Sequence, residues 1–314
     1  MDGDIVVSRG PDELESIRGL DVSIELKFDW EHTALLRGEV NLETHLQSVD
    51  VDPERICSIH LPPGIGRGRT DLEMALTTHN RGTISAFVHE QLGVVPNAHL
   101  VVHPPKQFVY SDQLELIATV LELTGREIAV ENTSVPSDWY APETIAFFGY
   151  VGERYERLSG LYLTIDSAHL PTDGTTASVQ SADHDAISTL EARLAADGLE
   201  VPTDFRERID RRLQALESYL PGQDELEDST DMPYGPVLRT LCLSGDRTKE
   251  IHLNDPLTDA VPDPTGHKPS PIFEAVLEYA IDHEIAIVLE PSELSPRTLR
   301  ERVSDLRELL ASIS

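Results

Sequence analysis

Basic residues are scarce in this chain: 25 Lys and Arg stand against 56 Asp and Glu, a formal charge of −31 over 314 residues. Only four of the bases are lysines, Lys27, Lys106, Lys249 and Lys268. Such a balance argues against non-specific attraction to nucleic acid or to an anionic membrane, because both need clustered positive charge; a local basic patch alone would survive it. Acid-rich, lysine-poor composition keeps a chain hydrated and dispersed at high salt, so the sequence reads as halophile-like. Cysteine is equally scarce. Cys57 and Cys242 lie far apart in apolar runs without CxxC spacing, and each is read as a buried structural thiol. Long apolar runs are missing as well: no window approaches 18 uninterrupted apolar residues, and Met1 to Gly10 has no charged segment leading into an apolar one. A soluble, cytoplasmic protein without a membrane partner is the expectation.

What is present is a repeated strand ending. A 39% hydrophobic content over this length supports a substantial core, either one α/β barrel or two smaller domains. The stretch Arg126-Glu-Ile-Ala-Val-Glu-Asn-Thr-Ser134 is a short apolar run that stops at a carboxylate, Glu131, before turn-forming residues. The same grammar recurs at Ile56-Cys-Ser-Ile-His60, His99-Leu-Val-Val-His103, Leu161-Tyr-Leu-Thr-Ile-Asp166, Glu250-Ile-His252 and Ile285-Ala-Ile-Val-Leu-Glu290. Together with Asp4 to Ser8 and Asp21 to Phe28 these runs bring the strand count to eight. Helical patterns fall between them, at about Thr33 to Val49, Ser111 to Thr124, Pro142 to Leu158, Ser270 to His283 and Pro296 to Ser312. Strand and helix in alternation predict a (β/α)8 TIM barrel, read as one domain over 1–314. Between Leu170 and Lys249 the rhythm breaks into amphipathic stretches at about Asp185 to Ala196 and Thr203 to Leu220 and an acidic loop from Pro221 to Asp231. This is read as a mainly helical insertion, about 171–248, between strands 6 and 7, which could cover the mouth or meet a partner subunit in a homo-oligomer.

In such a barrel the C-terminal strand ends converge on one mouth. Glu131, Asp166 and Glu290 would then share a pocket with several imidazoles, a gathering of negative charge that a divalent cation relieves. Glu131, Asp166, His252 and Glu290 form a mixed oxygen and nitrogen ligand set suited to Mn²⁺, Zn²⁺, Co²⁺ or Mg²⁺. His60 and His103 supply nitrogen for a second, more zinc-like ion with Glu131 bridging, so one or two ions are expected. Taken singly, each has a blander reading: a hydrogen-bonded histidine, a helix cap, a turn aspartate. His169, three residues after Asp166, and His267, in the loop after His252, are candidates for a further ligand or a substrate contact. Arg67 and Arg69, in the Gly/Pro-rich loop Pro62 to Arg69, would hold a phosphate or carboxylate of the substrate, or be solvated loop arginines. The remaining histidines are read as structural.

His60 in SIHLP, His103 in VVHPP, Glu131 in VENT, Asp166 and His169 in IDSAH, His252 in IHLND and Glu290 in VLEP give the chain a pattern that resembles the xylose isomerase-like TIM-barrel superfamily. That group includes the AP endonuclease family 2 enzymes, of the endonuclease IV type, and the sugar phosphate isomerases and epimerases. The resemblance runs from about Asp4 to Leu310 outside the inserted segment. It implies a metal on Glu131, Asp166, His252 and Glu290. The nuclease branch implies in addition His60 and His103 with Glu131 bridging, and a third metal on His169 and an Asp-x-His pair. Here the sequence departs from the branch, for His267 follows Asp263 by four positions and Lys268-Pro-Ser-Pro271 replaces a Gly-rich segment.

The leading expectation is metal-dependent isomerisation or epimerisation of a small sugar-like substrate through an enediolate, with Glu131 and Glu290 as the base and acid pair. The alternative is an endonuclease IV-like AP endonuclease, opposed by the scarcity of bases: only Arg67, Arg69 and Lys106 stand near the mouth to meet phosphates. A barrel that binds metal or ligand without turnover is the third class.

Overall fold

The computed structural model describes residues 5–62, 74–134, 137–139, 141–170, 184–220, 234–255, 261–262, 270–291 and 294–313. Eight strands form a closed barrel in sequence order, and every neighbouring pair is parallel. They are β1 (Ile5–Arg9), β2 (Ser23–Lys27), β3 (Ile56–His60), β4 (His99–Val102), β5 (Ile128–Glu131), β6 (Leu161–Asp166), β7 (Thr248–His252) and β8 (Ala286–Leu289). Since all eight run the same way and the first pairs with the last, the residues at their C-terminal ends rim one opening.

Pleating divides each strand between two environments. Ile24 and Leu26, Leu100 and Val102, Ile128 and Val130, Leu163 and Ile165, Ile287 and Leu289 join the core shared with the surrounding helices. The alternate positions face the lumen, where Glu25 on β2 comes within 3.2 Å of His252 on β7, a contact that crosses the barrel. The lumen is rich in polar groups, with Ser8, Glu25, Ser58, His60, Thr164, Glu250 and His252 all buried.

The helices follow the expected positions closely, apart from an earlier end to the one expected from Pro142 to Leu158, at Arg154, and two larger differences. The single helix expected from Thr33 to Val49 is two, α1 (Thr33–Leu36) and α2 (Leu42–Val49). Gly38 takes φ +70° between them and Asn41 restarts the helix, its side chain accepting from Thr44 N at 3.1 Å. Next come α3 (Arg81–Gln91), α4 (Tyr110–Thr124), ended by Gly125 at φ +63°, and α5 (Pro142–Arg154). Between β6 and β7 lie α6 (His184–Ala196), α7 (Asp204–Leu216) and α8 (Gly235–Ser244); α9 (Pro271–Asp282) and α10 (Pro296–Ile313) flank β8. Helix α8 is the second difference, because sequence periodicity did not show it. Every one of its residues is buried, so the segment carries no amphipathic alternation to read. It packs on α5, α7 and α9 and leads into the strand that carries His252.

Gly149 lets α5 and α8 approach: a Cβ there would lie 2.9 Å from the Ser244 carbonyl oxygen. Gly149→Ala is therefore expected to destabilise the protein by about 1–2 kcal/mol despite the better helix former, because overpacking against backbone outweighs a propensity gain of about 1 kcal/mol. Urea denaturation reads this directly; an alanine variant as stable as the parent would place the helices further apart. Cys57 and Cys242 are both unpaired, the first partly exposed and the second buried. No helix among the described residues is long and apolar enough to cross a membrane.

Candidate metal centre

Six strand ends deliver the expected groups to one place. Glu131, last in β5, directs Oε2 to His60 Nε2 at 2.9 Å and to His103 Nε2 at 3.0 Å. The two imidazoles are stacked, with ring centroids 5.0 Å apart. Its other oxygen, Oε1, lies 3.9 Å from His252 Nδ1 and 3.7 Å from His169 Nδ1. Glu290 Oε1 approaches the same His252 nitrogen at 3.4 Å. Three groups present one ligand atom per residue within 4.8 Å of one another: His60, His103 and Glu131; Glu131, Asp166 and His252; and Glu25, His60, His252 and Glu290.

Local hydrogen bonding explains why these carboxylates stand where they do. Asn132 follows Glu131 and clasps the end of β6, its Oδ1 accepting from Asp166 N at 2.6 Å and its Nδ2 donating to Asp166 O at 3.1 Å. Asp166 Oδ1 accepts from Ala168 N at 2.8 Å, which leaves Oδ2 beside His169 Nδ1 at 3.2 Å. Ser167 Oγ, at the base of this turn, bonds to the His252 and Asn254 carbonyls and so joins β6 to β7.

The close contacts around Glu131 are not hydrogen bonds in direction. His60 Nε2, Glu131 Oε2 and His252 Nδ1, which face one another there, are buried without a hydrogen-bond partner. Burying such atoms unsatisfied is unfavourable by about 1–3 kcal/mol each. Donor atoms that converge at about 3 Å without hydrogen-bond alignment suit a cation between them once His60 gives up its proton, so the residues present fit a divalent metal. Imidazole and carboxylate donors suit zinc or manganese better than an all-oxygen cage would.

Electrostatics in the ion-free pocket follow from the same crowding. Burial opposes the charge on Glu131, but the His103 and His60 imidazoles outweigh it and hold the carboxyl well below its usual range. Burial likewise opposes a proton on His60, yet Glu25 and Glu131 overcome it and lift the imidazole to about 9. Asp166 moves the other way, pushed up to about 6 by burial, with His169 opposing and Glu131 and Glu290 adding to the rise. An ion held by His60 would have to expel its proton at neutral pH. Affinity is expected to rise about tenfold per pH unit up to about pH 9 for that one proton, and calorimetry in buffers of different ionisation enthalpy should count at least one proton released. Stability of the ion-free protein depends on the same proton with opposite sign: the contribution is complete below about pH 6.5 and lost as pH rises through about 9.

His169 sits at the rim, 30% exposed, with Nδ1 also 3.1 Å from Asn132 O; it falls outside the three converging groups. His267, Arg67 and Arg69 lie outside the described residues, as does Asp263. Four contributors escaped the sequence reading: Glu25, Lys27, Asn132 and Glu250. Lys27 Nζ pairs with Glu290 Oε1 at 2.5 Å, and Glu25 and Glu250 are wholly buried in the lumen. Strand alternation was the available signal, since Glu25 and Lys27 share a face, as do Glu250 and His252. Beside Glu290 a cavity of about 310 Å³ is lined by Ser8, Arg9, Lys27, Asp29 and His32 among others, room for part of a small substrate.

No family model matches the chain, and no curated protein matches it either. Among solved structures, the chain is similar to endonuclease IV from Thermus thermophilus, at 14% identity and a TM-score of 0.40, covering 97% of this chain and 99% of that one.

Proposed function

We propose that this protein is a metal-dependent hydrolase of phosphate esters whose two ions share Glu131. The observation that supports this reading is the division of labour within that one carboxylate: Oε2 faces His60 and His103, while Oε1 faces His252. A carboxylate that faces histidines with both oxygens could hold one ion on each. Bound ions would supply an acidified water and neutralise charge on the phosphoryl oxygens. The chain's own groups do the rest. His60 and His103 would hold one ion beside Glu131; Asp166, His252 and Glu290 would hold the other. Lys27, paired with Glu290 and 40% exposed in its side chain, places an ammonium beside the cavity, where it can hold an anionic oxygen. Asp166, with Oδ1 held by Ala168 N and Oδ2 3.2 Å from His169 Nδ1, would be oriented by these contacts beside the ion it helps to hold.

The second reading, isomerisation or epimerisation of a small sugar-like substrate, keeps a specific observation in its favour. Glu131 and Glu290 approach His252 Nδ1 from two strands, at 3.9 and 3.4 Å, as a base and acid pair around one ion would. The charge of −31 also opposes a long polyanion. Paired assays separate the two. Metal-loaded protein should cleave bis(p-nitrophenyl) phosphate and a duplex with one abasic site, and chelator should abolish both. Solvent deuterium entering ketose substrates, with no phosphodiester cleavage, would replace the first reading with the second.

A further inference from the structure

Beneath the candidate ligands lies a carboxylate on the far side of two of them. Glu25 Oε1 accepts from Ser8 Oγ at 2.6 Å and lies 3.3 Å from His60 Nδ1, while Oε2 lies 3.2 Å from His252 Nε2. These nitrogens lie on the Glu25 side of each ring, although His60 Nδ1 is also 3.7 Å from Glu290 Oε1. The other nitrogens face the mouth, His60 Nε2 toward Glu131 and His252 Nδ1 toward Glu290 and Glu131. A neutral imidazole has one N–H and one lone pair, so a ring that offers its lone pair at one nitrogen carries its proton at the other.

We propose that Glu25 is a positioning residue that fixes His60 as the Nδ1–H tautomer and His252 as the Nε2–H tautomer, binding one histidine of each ligand set to a single buried carboxylate. The inference rests on the two-ion reading and extends it: the sites are joined above by Glu131 and below by Glu25. Glu25 is better placed for this than for binding an ion itself, because an ion there would draw on the lone pairs of both inner nitrogens and leave protons facing Glu131. Ser8 already donates to one of its oxygens. Glu250 supports the same assignment. Its Oε1 accepts from Thr164 Oγ1 at 3.2 Å and stands 3.5 Å from His252 Nε2, and its Oε2 lies 3.3 Å from His99 Nε2. His252 Nε2 thus has two carboxylates within 3.5 Å, close enough to take its proton once the contacts align.

Removing Glu25 should weaken both ions together, by about 10–100-fold each, which is the usual consequence of losing a carboxylate behind a ligating histidine. The test uses full-length protein loaded with Zn²⁺. Long-range ¹H–¹⁵N spectra of the histidine rings are expected to show Nδ1–H for His60 and Nε2–H for His252, and chelator competition should show both ions weakened in Glu25→Gln and, to a smaller degree, in Ser8→Ala. Opposite tautomers in the parent protein, or ion affinities within about threefold of the parent in Glu25→Gln, would overturn the proposal. The tautomer spectra decide it alone if Glu25→Gln does not fold. Glu131→Gln separates the two levels: unchanged ion binding there means the two-ion reading has failed, whereas lost binding there with none lost in Glu25→Gln defeats only the role of Glu25.

Discussion

Glu131→Gln is expected to lose bound metal from both ligand sets and to slow turnover by about 10³-fold or more, equivalent to about 4 kcal/mol of transition-state stabilisation. The substitution preserves size and shape but removes the charge that both sets share. In the parent, Oε2 lies 2.9 and 3.0 Å from His60 and His103 and Oε1 lies 3.9 Å from His252, so this one change touches both groups with both of its oxygens. Loss of a ligand that served only one ion would leave the other in place. The ion-free variant should also be less stable than the ion-free parent by about 3 kcal/mol at pH 7, because a buried imidazolium loses its partner. That comparison separates pocket electrostatics from ion binding. A Glu131→Gln protein that keeps its metal content and full activity would remove Glu131 from the chemistry.

Stripping the metal is the second large effect. An ion present at about a thousand times its dissociation constant stabilises the folded state by about 4 kcal/mol. For a chain of this size EDTA should then lower Tm by roughly 10 °C. The fold should persist without the ion, since protonated His60 remains held between Glu25 and Glu131. The transition should shift while staying cooperative, and added Zn²⁺ or Mn²⁺ should restore it. Glu131→Gln should show little EDTA shift. An unchanged Tm in the parent would mean that no ion contributes to the folded state.

The barrel was legible because its strand ends are chemically marked. In a parallel barrel an apolar run that stops at His, Asp or Glu states both the strand and its direction, and Glu131, Asp166 and His252 sit at the strand ends where the runs placed them. His103 and Glu290 fall one residue beyond the assigned strands, yet the same logic holds for them. Residues inside the strands were harder to see. Glu25 lies between Ile24 and Leu26, which join the outer core, while its own side chain points into the lumen; an acid there reads locally as the polar face of an ordinary amphipathic strand. Only closure of the sheet shows that this face has no solvent. The same holds for Glu250 and His99, which meet across the lumen at 3.3 Å. Helix α8 failed to show for the opposite reason, because a segment buried on every side has no period to detect.

Crystals grown with Zn²⁺ and measured on both sides of the zinc absorption edge test the central claim most directly. Two anomalous peaks are expected, one at ordinary zinc–ligand distance, about 2.0–2.2 Å, from His60, His103 and Glu131, the other at that distance from Glu131, Asp166, His252 and Glu290. Peaks elsewhere on the acidic surface, with none against Glu131, would contradict the account.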